Sequence, residues 1–143
     1  MNAILGPDGR AAWTCPGQPE SVRVFRQLAR AVAGDDDQGD TAALCVSELV
    51  TNALVHSRSG LPGGAVTVCF EALPGCGGLR IGVRDDGTRV PAAACPGIGL
   101  PGAAESGYGL GIVAAVAAAW GVSTDPDGHS VTWCVIPTAG GLR

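Results

Sequence analysis

The chain predicts a two-layer α/β sandwich: a mixed, mainly antiparallel sheet with helices packed on one face. Three observations carry this reading. Residues 79–85 (LRIGVRD) alternate apolar and polar side chains, which marks a strand with one buried face. Residues 65–72 form a neighbouring strand, joined to it by the Gly/Pro-rich stretch 73–78, and residues 130–136 form a closing strand. Between these lie helical patterns: Val46, Leu49, Val50 and Ala53 follow the i, i+3, i+4, i+7 spacing of a core stripe.

Residues 11–15 read as a first strand. Ser21 is placed to cap a helix running to about Ala33, with Phe25, Leu28, Ala29 and Val32 facing inward. Its other face carries Arg23, Arg26, Gln27 and Arg30, which is either ordinary solvated surface or a docking surface for an acidic protein. Asp35, Asp36 and Asp37 read as a solvated turn, and Asp40 or Thr41 as the cap of the next helix. Residues 88–106 are rich in Gly, Ala and Pro without periodicity, so mobility is expected there. Within them Gly97-Ile98-Gly99-Leu100-Pro101-Gly102 matches GxGxxG, but no strand precedes it and Pro101 interrupts it, so it is a decoy. A glycine-rich entry, Gly107-Tyr108-Gly109-Leu110-Gly111, then opens a helix with Val113, Val116, Ala117 and Trp120 on one face. Asp125-Pro126-Asp127-Gly128 signals a turn.

At 143 residues the chain is long enough for one core and too short for two. With 46% apolar residues and a mean hydropathy of +0.27, a folded, compact protein is expected. No apolar run reaches the roughly 18 residues of a membrane span, and the start lacks the basic-then-apolar order of a signal peptide. A cytoplasmic protein without a membrane role is the expectation. All nine basic residues are arginine. The absence of lysine excludes a P-loop, an ordinary protein kinase and a pyridoxal enzyme. A net charge of −4 disfavours direct nucleic-acid binding. None of the six cysteines makes a CxxC pair, so free thiols are expected rather than a zinc or redox site.

The chemistry concentrates in three places. In Ser47-Glu48-Leu49-Val50-Thr51-Asn52 an acid and an amide sit one helical turn apart, beside the buried stripe. Such a pair can hold a divalent cation and orient a nucleophile. Asparagine is a poor residue for a helix interior, so its presence calls for a reason. Asp85-Asp86-Gly87 puts a carboxylate at a strand end beside a glycine. The glycine-rich helix entry at residues 107–111 offers bare N–H groups and the positive end of a dipole to phosphate. Each motif alone is weak; their order is much stronger.

That order resembles the Bergerat-fold ATPases, the superfamily of gyrase, histidine kinases and heat-shock chaperones, and within it the stand-alone anti-sigma factor serine/threonine kinases of bacteria. Glu48 to Asn52 looks like their N box, Asp85-Asp86-Gly87 like the G1 box, and residues 107–113 like the G2 box. The second G1 glycine is replaced by Arg89, a departure at the usual hinge of the ATP lid. The resemblance implies one histidine kinase-like ATPase domain over residues 1–143. It implies a Mg-ATP site in which Asn52 coordinates Mg²⁺, Asp85 accepts a hydrogen bond from the adenine amino group, and Gly87 permits close approach. Gly107, Gly109, Leu110 and Gly111 would wrap the phosphates, and Glu48 would be the general base toward a serine hydroxyl or water. His56, one turn beyond Asn52, is read as structural. The implied partners are a sigma factor and an anti-sigma antagonist protein, met by a homodimer. The implied activity is phosphorylation of a serine on the antagonist; a module whose ATP only sets the conformation holding a partner is the alternative. A histidine kinase fragment fits less well, because no hairpin with a phosphoacceptor His fits in this length.

Overall fold

The computed structural model describes residues 5–34, 36–75, 77–87 and 110–137. In chain order these give β1 (Arg10–Pro16), α1 (Glu20–Ala33), α2 (Asp37–His56), a 3₁₀ turn (Arg58–Gly60), β2 (Ala65–Leu73), β3 (Gly78–Arg84), α3 (Gly111–Val116), β4 (Ala119–Thr124) and β5 (Ser130–Pro137). The five strands form one sheet in the order β1-β2-β3-β5-β4. All four ladders are antiparallel, so the sandwich is as expected, while no parallel pair mixes the sheet among the described residues.

The strict alternation read in the sequence explains the layering. Val66, Val68 and Phe70 on β2, Leu79, Ile81 and Val83 on β3, and Cys134 and Ile136 on β5 are buried in one cluster with Phe25, Ala29, Cys45, Val46, Leu49, Val50 and Ala53 from the helices. Burying side chains of this size contributes about 1.5–3 kcal/mol each, the main force holding the layers together. On α1, Phe25, Ala29 and Val32 are buried as predicted, and Leu28 packs partly against the same cluster. None of the helices among the described residues is long and apolar enough to cross a membrane.

Four local expectations are corrected. Helix α1 begins at Glu20 after Pro19, and Ser21 does not cap it: its Oγ–H donates to the Pro16 carbonyl at 2.6 Å, tying the helix to β1. Asp36 caps α2 in place of Asp40 or Thr41, its Oδ1 accepting from the Gln38 and Gly39 amides at 3.1 and 3.4 Å. Asp37 is therefore helical and Asp40 serves a different end, pairing with Arg30 of α1. The third helix stops at Val116: Ala117 is extended, and Trp120 lies on β4 opposite Cys134. An alanine-rich run that favours helix locally is overridden there by pairing with β5 and by packing of Trp120 against the core.

Candidate functional site

Helix α2 presents the first part of the site. Its apolar stripe is buried, while Glu48 and Asn52 emerge half-buried on the flank of that stripe. The side-chain Oδ1 of Asn52 is fully buried and has no hydrogen-bond partner among the described residues. Leaving such an oxygen unmatched costs about 1–3 kcal/mol, a cost recovered when a cation or donor arrives. Mg²⁺ takes oxygen ligands of this kind and shares the oxygens of a triphosphate, so this amide fits the metal that the sequence implied.

The second part is the turn after β3. Asp85 is buried, 8% exposed, with its N–H on the Ser130 carbonyl at 2.9 Å and its Oδ1 accepting from the Gly87 N–H at 2.8 Å. Gly87 has φ +97°, a conformation that an L side chain adopts only with strain, and its carbonyl accepts from Arg58 N–H at 2.8 Å. The turn is thereby tied to the segment that leaves α2. Burial pushes the Asp85 carboxyl above its ordinary range; backbone hydrogen bonds at Gly87 and Ser130 pull it back in part, Asp86 raises it and His129 lowers it.

The neighbouring carboxylate does different work. Asp86 accepts from the Ala65 N–H at 2.8 Å through Oδ2, and its own N–H donates to Ser59 Oγ at 2.8 Å. It fastens the start of β2 and the 3₁₀ turn to the end of β3. Of two adjacent aspartates, one is a joint and the other a buried carboxylate at the site.

The third part is the start of α3. Leu110 is buried beside Val113 in the core, and Gly111 is exposed with open space around its Cα. Helix α2, which carries Glu48 and Asn52, touches both β3, which runs into Asp85 and Gly87, and α3, which follows Leu110. Gly107, Tyr108, Gly109, Arg89 and the whole stretch 88–106 lie outside the described residues, as do Cys76 and Cys95. Of the remaining cysteines Cys45 and Cys134 are buried and Cys15 and Cys69 half-buried, all four as free thiols.

Several contributors were not read from the sequence. Thr132 is a buried hydroxyl residue, 5% exposed, opposite Val83 on the strand that leads to Asp85. A threonine at an inward position of an otherwise apolar strand is the signal that would have found it. His129, given no role from the sequence, forms a cluster with Asp125 and Asp127 whose ligand atoms lie within 4.8 Å of one another. Arg84 already occupies that cluster, with Nε on Asp125 Oδ2 at 2.9 Å and Nη2 against His129 Nδ1 at 2.7 Å. The guanidinium pairs with Asp125 and closes the β4–β5 turn. Beyond the site, a recess of about 720 Å³ lies over α1, lined by Glu20, Arg23, Arg26 and Arg30.

An antiparallel sheet backed by helices, with an acid and an unmatched amide on the inner helix and a buried aspartate at the end of the central strand, is the architecture of a Bergerat-type ATPase domain. The chain belongs to the histidine kinase-like ATPase family, whose model matches residues 15–135. Members of this family bind ATP, generally with Mg²⁺. The chain is also similar to an uncharacterized protein of Streptomyces coelicolor, 37% identical over 90 residues that span 60% of this chain and 76% of that relative.

Proposed function

We propose that this protein binds Mg-ATP in the angle between α2, the Asp85–Gly87 turn and α3, and uses it to phosphorylate a serine of an antagonist protein, as the anti-sigma kinases it resembles do. The observation that supports this reading best is the buried Oδ1 of Asn52, one turn beyond Glu48 and unpartnered among the described residues. In the proposal Asn52 holds Mg²⁺, which when bound screens the phosphate charge. Asp85 anchors the adenine amino group, Gly87 keeps side-chain bulk from the base, and the residues at 107–111 meet the phosphates. Glu48 takes the proton from the incoming hydroxyl; it lies on the same helix face as Asn52, where a γ-phosphate held by the metal would come to rest.

The partners in this reading are proteins, a sigma factor, an anti-sigma antagonist or both, engaged by a homodimer in the cytoplasm. The α1 arginines are the contact proposed for them, since arginine pairs carboxylates through a planar fork and keeps its charge when desolvated. Arg23 and Arg26 are exposed, whereas Arg30 is partly committed to Asp40. The test is incubation with γ-labelled ATP and candidate antagonists encoded in the same genome. Label on an antagonist serine supports the kinase reading. ATP binding without transfer to any of them favours the alternative, a binding module in which ATP sets the conformation that holds the partner.

A further inference from the structure

Among the described residues, the helices cover one face of the sheet and leave the other open. The register places Ala12, Cys69, Gly82, Trp133 and Gly121 in one row across that open face, with Arg10, Glu71, Arg80 and Val135 in the next. Trp133 stands between two glycines, and its indole leans over Gly121: a Cβ there would come within 2.8 Å of the ring. The Arg80 guanidinium sits 5.3 Å from the centroid of the same ring, the geometry of a cation–π contact.

Most of the charge on this face is paired. Arg10, Arg80 and Arg84 stand on it with Glu71, and Asp125 reaches Arg84 from the β4–β5 turn, in a chain whose net charge is −4. Glu71 lies directly opposite Arg80 in the ladder, yet its carboxylate takes Arg10 at 3.0 Å. Arg84 is bound to Asp125. Arg80 is thus the one arginine of the face without a carboxylate among the described residues, and the indole holds its guanidinium in place. A recess of about 350 Å³ opens beside it, bounded by Arg10, Cys69, Glu71 and Arg80.

We infer that the open face of the sheet is a docking surface for an acidic segment of a partner protein, with Arg80 receiving a carboxylate and Trp133 an adjoining apolar side chain. Tryptophan and arginine are the side chains that most often anchor interfaces. A guanidinium already immobilised on a ring gives up little further freedom when it binds. A nucleic acid is less well served, since two of the three arginines are already neutralised and polyanion binding depends on many free cations. The same face of a second copy offers Arg80 no free carboxylate, since its Glu71 is taken by Arg10. This surface lies on the side of the sheet away from α2 and is independent of the nucleotide proposal.

The test uses the full ¹⁵N-labelled chain and two peptides, acetyl-Glu-Glu-Leu-Glu-Glu-Leu-amide and its lysine counterpart. The acidic peptide should shift the Trp133 indole N–H and the Arg80 Nε–H saturably and in a salt-sensitive manner, and the lysine peptide should not. Arg80→Glu should weaken the acidic peptide by about tenfold or more, as like charges are brought together, with ATP affinity unchanged. If Arg80→Glu fails to fold, Arg80→Gln removes the charge alone and should still weaken binding severalfold. The inference is overturned by resonances that do not move at millimolar peptide, by equal affinity in a folded Arg80 variant, or by shifts confined to α1. It is equally overturned if the two resonances move with protein concentration alone while sedimentation reports a dimer, since the face then belongs to a second copy.

Discussion

Substituting Asp85 by Asn should move two measurements in opposite directions. Asn retains an oxygen in the position that accepts the Gly87 N–H at 2.8 Å, so the turn keeps its shape. It also presents an NH₂ donor where the adenine amino group would donate. A buried donor facing a donor costs about 1–3 kcal/mol, or roughly a ten- to hundredfold loss of ATP affinity. Stability without ligand should change the other way. Burial raises the native pKa of Asp85 above the ordinary value of 3.8. A group raised in this way contributes stability that is fully present below the ordinary value and lost as pH rises through the raised one. At neutral pH the parent therefore carries the cost of a buried charge, which neutral Asn does not. Calorimetric melting should place the Tm of Asp85→Asn above that of the parent at pH 7, with the gap closing as pH falls toward 3.8. Titration calorimetry reads the affinity. Unchanged affinity would remove Asp85 from the nucleotide site, and a lower Tm at pH 7 would show that its carboxylate is stabilised rather than strained by its surroundings.

Asn52→Ala removes an oxygen with no partner among the described residues and adds roughly 0.5 kcal/mol of helix propensity, so unliganded stability should hold or rise while Mg-dependent ATP binding falls; a large loss of Tm would reveal a structural bond. Glu48→Gln should bind ATP nearly as the parent does and lose about 10²–10⁴-fold of phosphoryl transfer in the labelled-ATP assay; equal turnover would leave Glu48 a positioning residue. Asp86→Ala strands the Ala65 N–H and should cost about 1–3 kcal/mol in chemical denaturation, separating the joint from its neighbour in the site. Arg26→Glu should weaken capture of an acidic partner or dimerisation, read by light scattering, with ATP affinity intact; unaltered binding to every tested partner would make the α1 face plain solvated surface.

Legibility in the sequence followed the strength of local pattern. Strands β2, β3 and β5 announced themselves because one face is buried and the other open, which leaves period-two alternation with little else to explain it. Strand β4 was hidden. The alanine-rich run that leads into it favours helix, and the turn to extended backbone at Ala117 answers to β5, a partner more than ten residues away. The cap of α2 was misplaced because several polar residues there satisfy the same rule; the structure chose Asp36, whose Oδ1 lies within reach of two amides. At the site, Glu48 and Asn52 were visible because a helix fixes what lies four residues apart. That Asp85 rather than Asp86 is the buried carboxylate rested on the DxG resemblance alone. The physical distinction, that Asp86 is spent on Ala65 and Ser59, depends on chain brought back from more than twenty residues earlier.

The two polar groups at the centre of the proposed site also sit at a cost in the unliganded protein. Asn52 holds a buried oxygen without a partner among the described residues, and Asp85 holds a carboxylate that burial drives toward its neutral form. Neither improves the fold by itself, and apolar residues of similar volume would pack there at lower cost. Their neighbours show the opposite economy: Asp36, Ser59 and Asp86 each make hydrogen bonds that close a cap or a turn. Natural sequences retain destabilising residues where function needs them, and a ligand that satisfies such groups only in the folded state returns their cost as binding energy. A cation for the amide and an amino donor for the carboxylate are the two complements required, one from each end of a nucleotide complex. The contrast between strained and satisfied polar groups, more than any motif, sets Asn52 and Asp85 apart from the other polar residues of the fold.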